Sequence, residues 1–299
     1  MMKKTFLLLL IAAPCSLFAQ DATMKELQAG AGKTIKSLDS NGWKKAGTFS
    51  LNINQGSLTN WAAGGEQNTL GINGILNYGI NFRNGKNTWD NFFDLALGFQ
   101  NATSFGRFRK TDDRIDITSK YGYQINKKWY AAILLNFNSQ SLKGFDYGTT
   151  PNATKISNFL TPGKILLSFG LDYRPNKSFS LFISPITTRW ILKRDTSFYK
   201  TDKFGVPAFK KAYNEPGAYL TAKYNKAINK WASYSGRLDL FSNYRRRPQN
   251  IDVLFTNLLT MRFNSWLGST ISLDMLYDDD VIKRTQIKEI LGIGLTVKL

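Results

Sequence analysis

Apolar and polar residues alternate along most of the chain after residue 44. In twelve segments, most alternate positions carry an apolar residue, and polar residues or glycines stand between them. Only a β-strand puts positions i, i+2 and i+4 on one face, so each segment predicts a strand. The predicted strands are residues 45–55, 68–82, 88–100, 114–125, 129–140, 164–174, 178–188, 217–225, 231–242, 251–263, 266–277 and 287–299.

The lengths of these segments and of their connections indicate a barrel that crosses a membrane. Strands of globular sheets average about 5–6 residues, whereas a tilted strand needs roughly 9–11 residues to cross a bilayer. Most of these segments are long enough to do so. Short turns alternate with longer loops, among them 101–113, 141–163 and 189–216. This alternation is typical of outer-membrane barrels, whose short turns face the periplasm. We therefore expect an all-β protein over residues 43–299, an antiparallel up-and-down transmembrane β-barrel of twelve strands with both termini periplasmic.

Aromatic residues mark one end of the predicted strands. They follow the short turns directly, where aromatic rings are expected to lie at the headgroup level of a bilayer. The sequence therefore predicts an aromatic rim on the short-turn side. Its members are Trp89, Trp129, Phe179, Trp231 and Trp266.

Charged residues within the predicted strands oppose the apolar positions. A Lys or Arg on the lipid face near the midplane would cost about 2–4 kcal/mol, so these residues are expected to face the lumen. Both signs of charge occur, which predicts ion pairs across the lumen. About eight strands enclose only side chains and 16–18 leave a water channel, so twelve predict either a narrow pore or a lumen closed by loops and internal pairs. The predicted lumen residues are Asp94, Arg114, Asp116, Lys120, Arg174, Lys223, Arg237, Asp239, Asp252, Arg262 and Asp274.

The N-terminus has the parts of a secretory signal peptide. Lys3 and Lys4 precede the apolar run 6–13, and Ala19 is a small residue at the expected cleavage site. We expect residues 1–19 to be removed on export, which leads to the cell outer membrane and excludes nucleic acid as a partner. Residues 20–42 are then a periplasmic lead-in, either a short helix or a mobile segment.

Four short motifs stand out in the barrel region. They are WAAGG at 61–65, SKYGY at 119–123, SNFLTPG at 157–163 and YDDD at 277–280. These motifs resemble an uncharacterised family of outer-membrane barrels from Bacteroidota, over roughly residues 41–299. The resemblance implies a porin-like barrel in the outer membrane, and it brings no established activity.

The composition argues against most enzyme chemistry. The chain contains no histidine, and its one cysteine, Cys15, lies in the predicted signal peptide. Ser-His-Asp and Cys-His nucleophile systems and His-ligated metals are therefore excluded. We predict no enzymatic activity, no cofactor and no metal site, with a histidine-free barrel enzyme as the weakest alternative.

The formal net charge of +19 points to an anionic partner at the long loops. Arg245, Arg246 and Arg247 stand together in one loop without an acidic residue, and loop 189–216 carries seven basic residues against three acidic ones. Extracellular loops lie near the phosphates of lipopolysaccharide, which Arg binds bidentately. We therefore expect outer-membrane lipid and lipopolysaccharide as partners.

Two functions follow from these expectations. The first is a small porin-like channel for polar or anionic solutes. The alternative is a structural or accessory subunit of an outer-membrane assembly, with other outer-membrane proteins as partners. Loop 141–163 serves either reading, because its apolar residues Leu142, Phe145 and Phe159 suit a partner surface or a constriction folded inward.

Overall fold

A computed structural model describes residues 41–58, 66–148, 153–176, 178–229, 231–264, 267–278 and 282–298. The predicted signal peptide and the lead-in up to residue 40 lie outside these residues. The described part contains two 3₁₀ helices, Thr103–Phe105 and Thr196–Phe198. Its strands are β1 (Gly42–Ser57), β2 (Asn68–Asn84), β3 (Asn87–Ala102), β4 (Arg109–Gln124), β5 (Trp129–Ser139), β6 (Gly144–Asp146), β7 (Thr154–Ser157), β8 (Gly163–Tyr173), β9 (Phe179–Leu192), β10 (Ala212–Ala227), β11 (Ala232–Asn243), β12 (Ile251–Arg262), β13 (Leu267–Asp278) and β14 (Ile282–Lys298).

The long strands form one antiparallel sheet in chain order. Each pairs with the next along the chain, and β5 pairs with β8 because β6 and β7 form a separate two-stranded hairpin. The first strand, β1, also pairs with the last, β14, from Thr48↔Lys298 to Leu51↔Leu295, so the strand order returns to its starting point. The prediction of an all-β antiparallel architecture is confirmed. No helix in the described part of the chain is long and apolar enough to span a membrane.

The two faces of the sheet carry different side chains. Large apolar side chains on one face are exposed, whereas the alternate positions between them are buried and include many polar and charged residues. This distribution is the reverse of that in a soluble protein, where polar groups face water. The exposed apolar residues of the strands include Phe49, Leu51, Ile53, Ile72, Leu95, Leu97, Ile133, Leu135, Phe169, Leu171, Ile183, Phe255, Ile271 and Leu273.

A β-bulge between β8 and β9 shifts the alternation by one residue. The register changes between Phe169 and Leu171, opposite the segment 183–186, and both Ile183 and Ile186 are exposed although they lie three positions apart. A Cβ at Gly170 would collide with the carbonyl oxygen of Ile183, so the close approach of the two strands requires glycine there. Beyond the bulge, β9 continues to Leu192 with the opposite parity, which the alternation pattern does not reveal.

Candidate functional site

The residues predicted to line the lumen lie on the buried face of the sheet wherever the structure describes their side chains. Asp94, Arg114, Asp116, Arg237 and Asp239 are buried, and the remaining described ones are half-buried. Most of the described ones belong to three ionic clusters at different positions along the strands, and Arg237 and Asp239 form a further pair. The half-buried ones are Lys120, Arg174, Lys223 and Asp252; Arg262 and Asp274 lie in β12 and β13 with side chains outside the described part.

The first cluster lies near the short turns. The carboxylate of Asp172 is fully buried and lies 2.7 Å from the Lys120 ammonium and 2.6 Å from the Arg174 guanidinium. Arg174 also pairs with Asp90 at 3.0 Å and stacks over the ring of Tyr130 at 4.8 Å. The two cations pair with the charge of Asp172, which would otherwise be buried without a partner.

The second cluster lies near the middle of the strands. Arg114 pairs with Asp94 at 2.7 Å, and Asn136 and Asn138 donate hydrogen bonds to the Asp116 carboxylate at 2.7 and 3.2 Å. These contacts join β3, β4 and β5 across their shared inner face.

On the opposite wall, Arg237 and Asp239 lie two positions apart on β11. Their charged groups approach to 2.6 Å, and the Tyr219 hydroxyl donates to Asp239 at 2.8 Å. Arg237 in turn donates to the Tyr219 oxygen at 3.1 Å. These contacts join the neighbouring strands β10 and β11 on their buried face.

The third cluster, at the long-loop end, includes residues that the sequence did not assign to the lumen. Arg189 lies 2.6 Å from Glu215 and 3.2 Å from Asp252, and its guanidinium stacks over Phe241 at 4.0 Å. The expectation that the basic residues of loop 189–216 meet an external anion fails for two of them, because Arg189 lies in β9 and is ion-paired and Lys193 is buried. The β-bulge hides the continuation of β9, and a search for alternation that allows a one-residue shift would have found it.

A chamber of about 100 Å³ lies inside the sheet between the second and third clusters. Apolar side chains form part of its wall, because β5, β8, β11, β12 and β13 each place an aliphatic or aromatic residue there. Charged groups of both signs face the same space. The lining includes Leu134, Leu166, Phe241, Leu254, Leu276, Thr221, Lys223, Arg237, Asp116 and Asp239.

The cap loop (residues 193–211) folds over the long-loop end of the sheet. The Lys193 ammonium is buried and donates hydrogen bonds to the carbonyl oxygens of Thr201, Val206 and Pro207 at 2.6–3.1 Å. Gly205 lies so close to the inner face that a Cβ there would be 3.9 Å from a carboxylate oxygen of Glu215. The loop thus covers the third ionic cluster.

A second long loop fastens the cap loop in place. The Asp195 carboxylate lies 2.8 Å from the Lys155 ammonium and accepts a hydrogen bond from Asn158 at 2.7 Å. The Asp195 backbone N–H donates to the Thr161 hydroxyl at 2.8 Å. The hydrogen bond from Lys155, with those from Ser197 and Asn158, holds the pKa of the Asp195 carboxyl well below its usual range.

The aromatic residues predicted for the short-turn rim pack against aromatic neighbours on adjacent strands. Trp89 lies 5.9 Å from Trp43 between ring centroids, and Trp129 lies 4.7 Å from Tyr173. Such tilted pairs add to the stability of neighbouring strands. The other predicted members are Phe179, at the start of β9, Trp231, which is exposed, and Trp266, which lies outside the described residues.

The basic loop between β11 and β12 is accessible. Arg245, Arg246 and Arg247 are all exposed, and Arg247 has a positive φ of 47°. The Arg245 guanidinium donates a hydrogen bond to the carbonyl oxygen of Asn214 at 3.5 Å. The three guanidinium groups are therefore placed where an external anion can reach them.

Comparison with known protein families matches part of the chain. Residues 53–145 match the family described as a protein of unknown function (DUF3078). This segment includes β3 and β4, which contribute charged residues to the first two ionic clusters, and it also includes β5. No curated protein sequence matches the chain.

Among solved structures, outer-membrane proteins are similar over most of their length at low identity. The translocator domain of the autotransporter NalP from Neisseria meningitidis is 9% identical with a TM-score of 0.41, over 91% of this chain and 93% of that one. An outer membrane channel from Pseudomonas putida F1 is 10% identical with a TM-score of 0.40, over 88% and 96%. The NanC porin is 10% identical with a TM-score of 0.40, over 85% and 100%.

Proposed function

We propose that the chain is an outer-membrane protein whose twelve long strands form a closed transmembrane β-barrel, with residues 43–299 in the barrel. The exposed apolar side chains face lipid, and the ion-paired face encloses the lumen. A soluble protein would have to leave this apolar surface in water, which costs roughly 25 cal/mol per Å². Both termini lie on the periplasmic side in this arrangement, because the twelve strands are even in number and the short turns face the periplasm.

The barrel acts as a porin-like channel of narrow bore for small polar or anionic solutes. The observation that carries this function is the chamber inside the sheet, with charged groups of both signs around it and ionic clusters above and below. A barrel with a purely structural role gains nothing from space lined by charged groups, since buried charges are costly unless paired. The ionic clusters and the cap loop leave passage only for small solutes.

The remaining parts of the proposal follow from location. A signal peptide at residues 1–19 directs export, and the exposed Arg245, Arg246 and Arg247 contact lipopolysaccharide phosphates on the cell surface. The basic loop also raises the local concentration of anions at the mouth of the lumen.

Conductance in planar lipid bilayers tests the channel function. We expect the purified protein to give conductance steps smaller than those of a 16-stranded porin, because side chains occupy most of its lumen. A variant with residues 199–209 replaced by a short Gly-Ser linker removes the part of the cap loop held by Lys193. Its steps should be larger than those of the wild type, and the absence of conductance in both proteins would refute the channel function.

A second function, a structural or accessory subunit of an outer-membrane assembly, is favoured by the exposed apolar residues of the long loops. Leu142, Phe145, Phe159 and Phe209 are exposed although the loops around them are hydrogen-bonded. Large exposed apolar surface is typical of protein–protein contacts. Substituting these four by Ser lowers co-purification of other outer-membrane proteins if this function holds, and leaves the conductance of a channel unchanged.

A further inference from the structure

Two arginines at the long-loop end stack against the same aromatic ring. Arg107 lies between β3 and β4, Arg109 begins β4, and Tyr147 directly follows β6. The guanidinium carbons of Arg107 and Arg109 lie 5.5 and 4.4 Å from the centre of the Tyr147 ring. The ring therefore holds two cationic groups close to one another.

A second ring contacts Arg109. The guanidinium carbon of Arg109 lies 3.8 Å from the centre of the Phe105 ring, in the short 3₁₀ helix before β4. Gly106 follows with a positive φ of 65°, which lets the chain turn between Phe105 and Arg107. Each cation–π contact contributes about 0.5–1 kcal/mol at an exposed site. The Arg109 guanidinium is thus oriented before a ligand binds, which lowers the entropic cost of binding.

Neither arginine has an ionic partner in the described part of the chain, where no carboxylate oxygen lies within 4 Å of either guanidinium. The next residue of β4 differs, because Lys110 pairs with Asp113 at 2.7 Å. The Nε of Arg109 is buried and lacks a hydrogen-bond partner among the described residues. Most buried donors in folded proteins have an acceptor. An anion bound at this site would supply both the missing charge and the missing acceptor.

The acidic groups around the stack are engaged elsewhere. The Glu66 carboxylate accepts hydrogen bonds from the backbone N–H and the hydroxyl of Ser104. These hydrogen bonds, with a smaller contribution from the charge of Arg109, lower the pKa of Glu66, so this residue is ionised at neutral pH. The Asp146 carboxylate accepts a hydrogen bond from the Gly148 N–H at 3.0 Å. The charge of Glu66 therefore competes with an external anion at Arg109 without pairing with the arginine.

Two neighbouring guanidinium groups match a phosphate group. Each guanidinium presents a planar fork of N–H donors that binds two oxygens of a carboxylate or a phosphate. One fork occupies both oxygens of a carboxylate, whereas a phosphate group has three acceptor oxygens and can bind both forks at once. A chloride ion has no paired acceptors for a fork.

We propose that Arg107 and Arg109, held by Phe105 and Tyr147, bind a phosphate group at the long-loop end of the protein. None of these four residues lines the chamber, so the inference goes beyond the proposed channel and does not depend on it. In the proposed orientation the phosphate belongs either to lipopolysaccharide of the outer leaflet or to free phosphate outside the cell. The chemistry of recognition is the same for both sources.

Calorimetry on protein refolded in detergent without lipopolysaccharide tests the site with inorganic phosphate, acetate and chloride at equal ionic strength. We expect phosphate to bind about ten times more tightly than acetate, because only phosphate uses both guanidinium groups. Binding of chloride should not be measurable. Equal affinity for phosphate and acetate would overturn the proposal.

Substitutions separate the stacked arginines from general electrostatic attraction. Arg109→Gln should weaken phosphate binding about tenfold, and Tyr147→Leu about threefold, because the ring orients both cations. Glu66→Gln removes the competing charge and should tighten binding about twofold. Lys143→Gln is the matched control: it removes an exposed cation near Tyr147 that is not part of the stack, and should change the affinity less than about twofold. Equal losses in folded Arg109→Gln and Lys143→Gln proteins, with folding shown by heat-modifiable gel mobility, overturn the site.

Lipopolysaccharide with and without its phosphates separates the two sources. The comparison is made in a protein whose Arg245, Arg246 and Arg247 are already Gln, so that the basic loop does not contribute. Phosphate-dependent binding of lipopolysaccharide that Arg109→Gln weakens about tenfold supports the lipid as the source. If Arg109→Gln weakens only the binding of inorganic phosphate, free phosphate is the source. If it weakens neither, the proposal is wrong. Conductance is measured separately, so its absence would refute the channel function and leave this site standing.

Discussion

Charge placed on the outer face of one strand tests the proposed orientation of the whole sheet. Ile133, on β5, is 44% exposed, and its register partners Tyr121 and Phe169 are exposed as well. It lies four residues after Trp129, about 13 Å along the strand at about 3.3 Å per residue. At a tilt of about 40°, this is roughly 10 Å of depth, near the middle of an apolar band about 25 Å tall.

Ile133→Lys therefore places an ammonium near the bilayer midplane. The expected cost is about 2–4 kcal/mol. Since about 1.4 kcal/mol is a factor of ten, the folded-to-unfolded ratio falls by about 25- to 700-fold. Asn136→Lys is the matched control on the same strand, because Asn136 lies on the opposite, ion-paired face and 2.7 Å from Asp116. An ammonium there has a carboxylate to pair with, and we expect a loss of no more than about 1 kcal/mol.

Urea titration of both variants in phospholipid vesicles, followed by the gel shift of the folded barrel, measures the two effects. The prediction is a clear drop in the urea midpoint for Ile133→Lys and a small one for Asn136→Lys. Equal losses in the two variants would mean that the exposed face does not meet lipid. A larger loss for Asn136→Lys would mean that the register of β5 is off by one residue, which exchanges its two faces.

Three further predictions concern the ionic clusters and the loops. Asp172→Asn removes the carboxylate that the half-buried Lys120 and Arg174 share, while Arg174 keeps Asp90, so the free energy of unfolding should fall by about 3 kcal/mol in the same urea assay. Because the pKa of Asp195 is lowered in the folded protein, its contacts stabilise the cap loop above the unfolded-state pKa of about 3.9 and lose this effect as the pH falls through the folded value. Pepsin should accordingly cut the wild-type loop slowly near pH 4 and faster at lower pH, whereas it should cut the loop of Asp195→Asn quickly at both pH values. Equal cleavage rates for the wild type and Asp195→Asn at pH 4 would contradict this. Neutralising Arg245, Arg246 and Arg247 together to Gln should reduce the lipopolysaccharide that co-purifies with the protein, and an unchanged amount would leave these charges without a lipid partner.

Much of the fold was predictable because a strand that meets different surroundings on its two faces must alternate in sequence. The alternation located the long strands, usually to within a few residues at each end. It is a strong signal because a shift of one residue would reverse every side chain of a strand. The differences lie at the ends, where β10 begins at Ala212 instead of residue 217 and β9 runs to Leu192. The hairpin of β6 and β7 was not predicted, because its strands of three and four residues are too short for a pattern to form.

The sequence by itself predicted the face of the sheet for most of the described strand positions, because side-chain direction in an unbroken strand follows from position. It identified Lys120, Arg174, Arg237 and the other charged strand positions as inward-facing. It did not determine which charges pair, because partners such as Arg174 and Asp90 lie 84 positions apart along the chain. Only the curvature of the sheet brings them to one depth.

The tertiary structure also decided what covers the long-loop end of the sheet. The cap loop is held over that end by hydrogen bonds that its backbone carbonyl groups accept from Lys193, and backbone carbonyl groups produce no sequence pattern. The bulge opposite Gly170 carries Arg189 inward, so a residue that the chain presents as loop charge becomes part of an ionic cluster. Sequence periodicity fixes the face on which a residue lies, whereas contacts across a lumen depend on strand register and loop placement, which only the folded chain specifies.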